Sequence, residues 1–222
     1  MNHSLQRWEA LHARAGFEPI YPAESVIRWS FRNFPRGTPA TLLDVGAGHG
    51  RHALFWARSG YTAFATDAAV SAVDGCLDKA REVGLDVQCA VAGASSLPFS
   101  DSCFDGVLSY GVLYYLPWQD WQSAFDEVHR VLRPGGHALF VVRSTEDSRC
   151  TMGEVIAERS WRIASQPDCP WSAEVGLPMT FVGESDLRQL SKRFEALTLD
   201  RNRWSDRGGR YWNDDWLVQL RR

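Results

Sequence analysis

Leu42-Leu43-Asp44-Val45-Gly46-Ala47-Gly48-His49-Gly50-Arg51-His52-Ala53-Leu54-Phe55-Trp56-Ala57-Arg58-Ser59-Gly60-Tyr61 is the stretch that decides the fold. Thr41 to Val45 is a short, apolar, branched run of the kind a buried strand uses. Glycines follow at positions 46, 48 and 50. From Arg51 the periodicity turns helical, with Ala53, Leu54, Phe55 and Ala57 on an apolar face and Gly60 as the stop. Strand, glycine turn and helix together make a cradle for an adenosine-bearing cofactor. Glycine admits tight dihedrals and lets a ligand approach the backbone with no Cβ in the way. The first turn of the helix offers unpaired N–H groups and positive partial charge to a carboxylate or phosphate.

Downstream, Thr62 to Thr66 reads as a second strand ending at Asp67, 21 residues past Gly46. A carboxylate there accepts hydrogen bonds from ribose hydroxyls. Val70 to Val83 reads as a helix and Val87 to Val91 as a third strand. Phe104-Asp105 opens a fourth strand over Gly106 to Ser109. Trp118 to Leu132 has a helical face of Trp121, Phe125 and Val128, and Arg133-Pro134-Gly135-Gly136 reads as the turn that ends it. His137 to Val142 is a fifth strand. Regular alternation of strand and helix predicts a mostly parallel sheet with helices on both faces.

Upstream, residues 4–15 and Ala23 to Phe34 read as amphipathic helices, either a lid over the cradle or a side layer of the sheet. Residues 144–182 lose the alternation; a helix is expected over 153–164, within an irregular insertion of the kind that covers a site. Glu184 to Arg193 reads as a helix. Phe194 to Arg201 and Tyr211 to Leu220 read as strands of a hairpin turning at Asp206-Arg207-Gly208-Gly209. The expected organisation is one domain: N-terminal helices (1–40), a cofactor core (41–143), a substrate-covering insertion (144–183), and a helix with a hairpin (184–222).

The totals set limits. The chain has 222 residues, 45% apolar and 23% charged, with a net charge of −3. That composition suits a globular protein and argues against a nucleic-acid partner, whose affinity rests on many cationic contacts. No apolar run is long enough for a membrane helix, and Met1 to Arg7 lacks the apolar core of a secretion signal. Five cysteines with no Cys-x-x-Cys pair suit a reducing, cytoplasmic setting and give no metal site; His49 and His52 lack a third ligand. Ten tryptophans imply a well-filled core, an aromatic pocket, or both.

The ordered set of motifs resembles the class I S-adenosylmethionine-dependent methyltransferases, in particular their small-molecule branch. Asp44-Val-Gly-Ala-Gly-His-Gly50 is similar to the family's first motif and Asp67 to its acid after the second strand. Leu97-Pro-Phe-Ser-Asp-Ser-Cys-Phe-Asp105 and Leu132-Arg-Pro-Gly-Gly136 resemble later signatures. The resemblance implies a Rossmann-like doubly wound α/β fold with seven strands, the last antiparallel. It also implies S-adenosylmethionine as cofactor and S-adenosylhomocysteine as product.

The family's cofactor contacts carry over to Asp44, Gly46, Ala47, Gly48, His49, Arg51, Asp67, Ala68, Ala94, Ser95, Ser109, Tyr110 and Gly111. Arg51 is the expected partner of the cofactor carboxylate. Many relatives carry an Asp where this chain has Gly93, so the adenine amino group needs water, backbone, Ser95 or Ser96 instead.

Methyl transfer from a sulfonium needs alignment more than a catalytic side chain, so the sequence names no catalytic residue. Candidates are His12, Tyr21, Tyr114 and Arg143. The expected acceptor is a small molecule with an oxygen or nitrogen nucleophile. Eight arginines between 188 and 222, interleaved with Trp204, Trp212 and Trp216, point to an anionic or sugar-containing substrate, or else to a solvated hairpin. The oligomer is expected to be a monomer or homodimer. Two other readings remain: a non-catalytic binder of the same cofactor, and a nicotinamide-dependent oxidoreductase, whose Gly-x-Gly-x-x-Gly spacing would need glycine where Arg51 stands.

Overall fold

A computed structural model describes Glu9 and residues 19–222. The helix expected over 4–15 and the candidate His12 therefore lie outside the described residues. Seven of the ten described strands form one sheet in the order β3-β2-β1-β4-β5-β10-β9. β1 (Thr41–Val45) lies inside it, pairing in parallel with β2 (Thr62–Asp67) and β4 (Phe104–Tyr110). β3 (Val87–Val91) extends one side, and β5 (Leu132–Arg143) the other. β9 (Ala196–Asp206) and β10 (Tyr211–Arg221) form the C-terminal hairpin. β10 runs antiparallel to both β5 and β9. The expected doubly wound sheet with an antiparallel last strand is the sheet found. The order reverses between β1 and β4, which opens a crevice at the carboxyl ends of the strands.

The helices divide between two cores. On one face lie α1 (Glu24–Asn33), α2 (Arg51–Arg58) and α3 (Val70–Glu82). Trp29, Ala53, Trp56 and Cys76 pack there against Leu42, Leu108 and Leu139. Trp56 is fully buried and its Nε1 donates to Ser30 Oγ at 2.8 Å, so the indole's polar end is satisfied as its rings fill the core. On the other face, α4 (Trp121–Val131) sets Trp121, Phe125 and Val128 against Val107, Phe140 and Val142, and α6 (Glu184–Leu190) joins through Leu187 and Leu190. The Phe125 and Phe140 rings stack 4.3 Å apart. Among the described residues no helix is long and apolar enough to cross a membrane.

The later signatures act as clamps. Asp105 Oδ2 accepts from Thr41 N–H at 2.7 Å and its Oδ1 pairs with Arg133, fixing the start of β1 to β4 and β5. Arg130 donates to the carbonyls of Leu97 and Phe99, and Glu127 accepts from Leu97 N–H, so α4 holds the 97–99 segment in place.

Two sequence expectations are corrected. Arg133-Pro134-Gly135-Gly136 lies inside β5. Phe104 pairs with Leu132 and Gly106 with His137, so the four residues between bulge out of the ladder. Gly135, at φ +79°, donates its N–H to the carbonyl of Arg222, and Arg222 donates back to Gly136. The glycines buy a kinked strand rather than a free turn.

The second correction concerns 153–164, which holds no helix. β6 (Glu154–Ala157) and β7 (Ser160–Arg162) form a hairpin, and β8 (Pro178–Thr180) completes a small antiparallel sheet. Branched Val155 and Ile156 suit extended backbone. The reversal falls at Glu158-Arg159, where Arg159 takes φ +53° with no glycine to announce it. The nearby helix is one turn, α5 (Ser148–Thr151), capped by Asp147 Oδ1 accepting from Arg149 N–H.

Candidate functional site

A cleft of about 790 Å³ opens at the carboxyl ends of β1, β2 and β4. Its floor is the glycine turn. Gly46 N–H and Ala47 N–H both donate to Thr66 O, at 2.7 and 2.9 Å, pinning the turn to β2. Two glycines are obligatory by geometry. Gly46 has φ +72°, and a Cβ there would sit 2.1 Å from Val112 Cγ2. Gly50 has φ +77°, and a Cβ there would sit 2.2 Å from Cys76 Sγ. Cys76 in turn lies with its sulfur 3.5 Å from that of Cys89.

Asp67 stands at the mouth, where β2 ends. Its Oδ2 accepts from Gly48 N–H and its Oδ1 from Ala69 N–H, both at 2.9 Å, so one carboxylate ties the glycine turn to the start of α3. Glu9 caps α3, accepting from Val70 N–H at 2.7 Å and from Ser71 N–H at 3.1 Å. Ala68, Gly93 and Ala94 continue the wall from Asp67.

Arg51 enters from α2, its guanidinium 5.0 Å from the centre of the Tyr110 ring and its Nη1 donating to the carbonyl of Tyr21 at 3.4 Å. The Tyr21 side chain is exposed. His52 also lines the cleft. Its Nδ1 lies 3.6 Å from Asp44 Oδ2, and its Nε2 accepts from Ala23 N–H at 3.4 Å. Burial pushes the imidazole below its ordinary pKa, against the pull of Asp44.

The remaining candidates separate by position. Ala47, Gly48, Tyr110, Gly111, Tyr114 and Tyr115 line the cleft. Asp44 is buried beneath His52, Ser109 is buried within β4, and Ser95 is exposed. His49 packs against Gly75 of α3, where a Cβ would meet its ring at 2.7 Å. Arg143 lies behind the wall. Its Nη1 is 3.0 Å from Asp215 Oδ1 and 3.4 Å from Asp147 Oδ2, and its guanidinium sits 5.1 Å from the Tyr114 ring centre. The C-terminal arginines are also engaged away from the cleft. Arg201 pairs with Asp214 and Glu146, Arg203 with Glu146, and they lie over the rings of Trp216 and Trp212.

The far half of the cleft is roofed by the small sheet. Ile156 and Ala157 of β6, Ser160 of β7 and Pro178, Met179 and Thr180 of β8 face it. Opposite stand Tyr115, Leu116, Pro117 and Asp120. The roof is tied to the core through Glu174, which accepts from Tyr115 Oη at 2.8 Å and pairs with Arg149 Nε. Burial pushes the Tyr114 hydroxyl up to about 12. Burial, then the adjacent Tyr114, raises Tyr115 well above its ordinary value. Neither tyrosine gives up its proton near neutral pH, so neither serves as a base. Sequence reasoning passed over His52 and Asp120 as wall residues, and no periodicity marked the roof; the one available signal for His52 was its place beside Arg51 at the start of α2.

Comparison with known proteins places this arrangement. Residues 43–140 match a family model described as a methyltransferase domain. An uncharacterized protein of Mycobacterium tuberculosis is 39% identical over 138 residues, covering 62% of this chain and 48% of that protein. A demethylmenaquinone methyltransferase of a Mycobacterium species is 29% identical over 176 residues, 76% of this chain and 71% of that protein. The chain thus spans about half the length of the first of these relatives. Among solved structures, an S-adenosylmethionine-dependent methyltransferase of Methanosarcina mazei superposes with a TM-score of 0.70 at 22% identity, covering 91% of this chain and 98% of that one. The matched segment spans the glycine turn, Asp67 and the parallel strands that carry them, so residues 43–140 are similar to a methyltransferase domain and the chain shares the fold of that solved methyltransferase.

Proposed function

We propose that this chain transfers the methyl group of S-adenosylmethionine to an oxygen or nitrogen of a small molecule. The observation that carries the reading is the continuity of the cleft: the glycine turn and Asp67 open without a partition into a chamber under the small sheet. The residues fit the cofactor. Asp67 is placed for ribose hydroxyls, the backbone at Gly93 and Ala94 for the adenine, and Arg51 for the carboxylate. When bound, the sulfonium supplies an electrophilic methyl group.

The chain's own part is alignment and exclusion of water. The glycine turn lets the backbone approach closely, and the roof of β6 to β8 closes the acceptor side. Alignment of this kind is worth on the order of 7–11 kcal/mol. Residues 41–143 act as the cofactor core and 144–183 as the acceptor cover. One relative is named for a small organic acceptor, demethylmenaquinone, which supports a small-molecule substrate here.

Calorimetric titration tests the reading. S-adenosylhomocysteine is expected to bind, and Asp67→Ala to weaken it roughly tenfold to a hundredfold, as hydrogen bonds to a charged group are lost (about 1.5–3 kcal/mol). Binding of NADH with no response to either sulfur cofactor would overturn it.

A further inference from the structure

We infer that the acceptor is a flat, largely apolar ring compound, neutral or carrying a basic nitrogen, and that Asp120 is the residue that selects it. This rests on the methyl-transfer reading of the cleft. The far half of the cleft offers apolar surface from Ile156, Pro178, Met179 and Leu116, and the ring of Tyr115. Flat rings bury well against such walls, whereas a sugar needs many polar partners.

The polar atoms there are mostly spent. Tyr115 Oη donates to Glu174, and Thr180 Oγ1 donates to Leu116 O at 2.8 Å. Ser160 and Asp120 are left to meet a ligand. Asp120 closes the short 3₁₀ turn Trp118–Asp120, immediately before α4. An Asp at a helix start ordinarily caps the helix with its side chain. This one makes no capping bond and faces the cleft instead.

The charge balance points the same way. Among the described lining residues Asp120 is the charged side chain of that half, and the one arginine, Arg51, stands at the cofactor end over Tyr110. Arg201 and Arg203 of the C-terminal hairpin, among the arginines the sequence offered as grips for an anion, are held by Glu146 and Asp214. A carboxylate or phosphate entering this chamber meets repulsion from Asp120 and, among the described residues of that half, no cation.

Four probes share the test: 2-naphthol, 1-naphthylmethylamine, 2-naphthoate and glucose 1-phosphate, titrated with and without S-adenosylhomocysteine. The naphthol and the amine are expected to bind at least tenfold tighter than the naphthoate, and the sugar phosphate not at all. D120K should reverse the order of amine and carboxylate, and D120N should level it; both change one half-exposed residue, and folding is checked by circular dichroism. Naphthoate binding as tightly as the amine, or an order unchanged in D120K, overturns the inference. Loss of S-adenosylhomocysteine binding with the naphthyl order intact would sink the methyl-transfer reading alone.

Discussion

His52 shows how one side chain serves two structures. It bridges the buried Asp44 of β1 and the N–H of Ala23 at the start of α1. Its pKa lies below the ordinary value because burial outweighs the attraction of Asp44. The unfolded chain takes up a proton near 6.5 that the fold resists, so stability is full above that pH and falls below it. Asp215 opposes this: burial lifts it to about 6, so its contribution is lost as pH rises through that value. Replacing His52 by Gln should therefore cost most at pH 7, and the gap to the parent should narrow by up to about 1.4 kcal/mol per pH unit toward pH 5. Urea melts at pH 5, 6 and 7 measure it, and a constant or widening gap refutes it. At this scale the sequence was legible where backbone chemistry is exclusive. Gly46, Gly50 and Asp67 stand where the pattern put them. It was not legible for Ser109 and Arg143, because a place at a strand end does not say which side of the sheet a side chain serves.

The elements divide the same way. β1, α2 and β2 were readable because periodicity and glycine punctuation agree over twenty residues. The roof was not, because β6 to β8 are three or four residues long, and β8 finds its partners in β7 more than fifteen residues upstream. What holds the roof is a short chain of bonds, Tyr115 to Glu174 to Arg149, with Arg149 anchored further on Asp147 and Asn213. Glu174→Ala should loosen the roof locally. Arg149 keeps its other partners, so the cost is expected at about 1–3 kcal/mol. Hydrogen exchange should rise over residues 154–180 while β1, β4 and β5 stay protected. An even rise across the sheet would contradict the tether.

At the scale of the molecule, two cores on opposite faces of one sheet support a cleft at the strand ends, and the switch in strand order at β1 and β4 sets where it opens. Every described residue lining that cleft precedes position 181. Yet β10, the last strand in chain order, sits inside the sheet between β5 and β9. During synthesis the ribosome must therefore deliver the whole ligand-binding apparatus before the sheet can close. Until residues 211–221 emerge, the edge of β5 along Leu139, Phe140, Val141 and Val142 has no partner. An open, apolar edge is a template for other chains. A chain cut after residue 195, though it keeps all of the cleft wall, should sediment as aggregates and fail to bind S-adenosylhomocysteine. The hairpin that touches nothing in the cleft is then what keeps the newly made protein from sticking to itself.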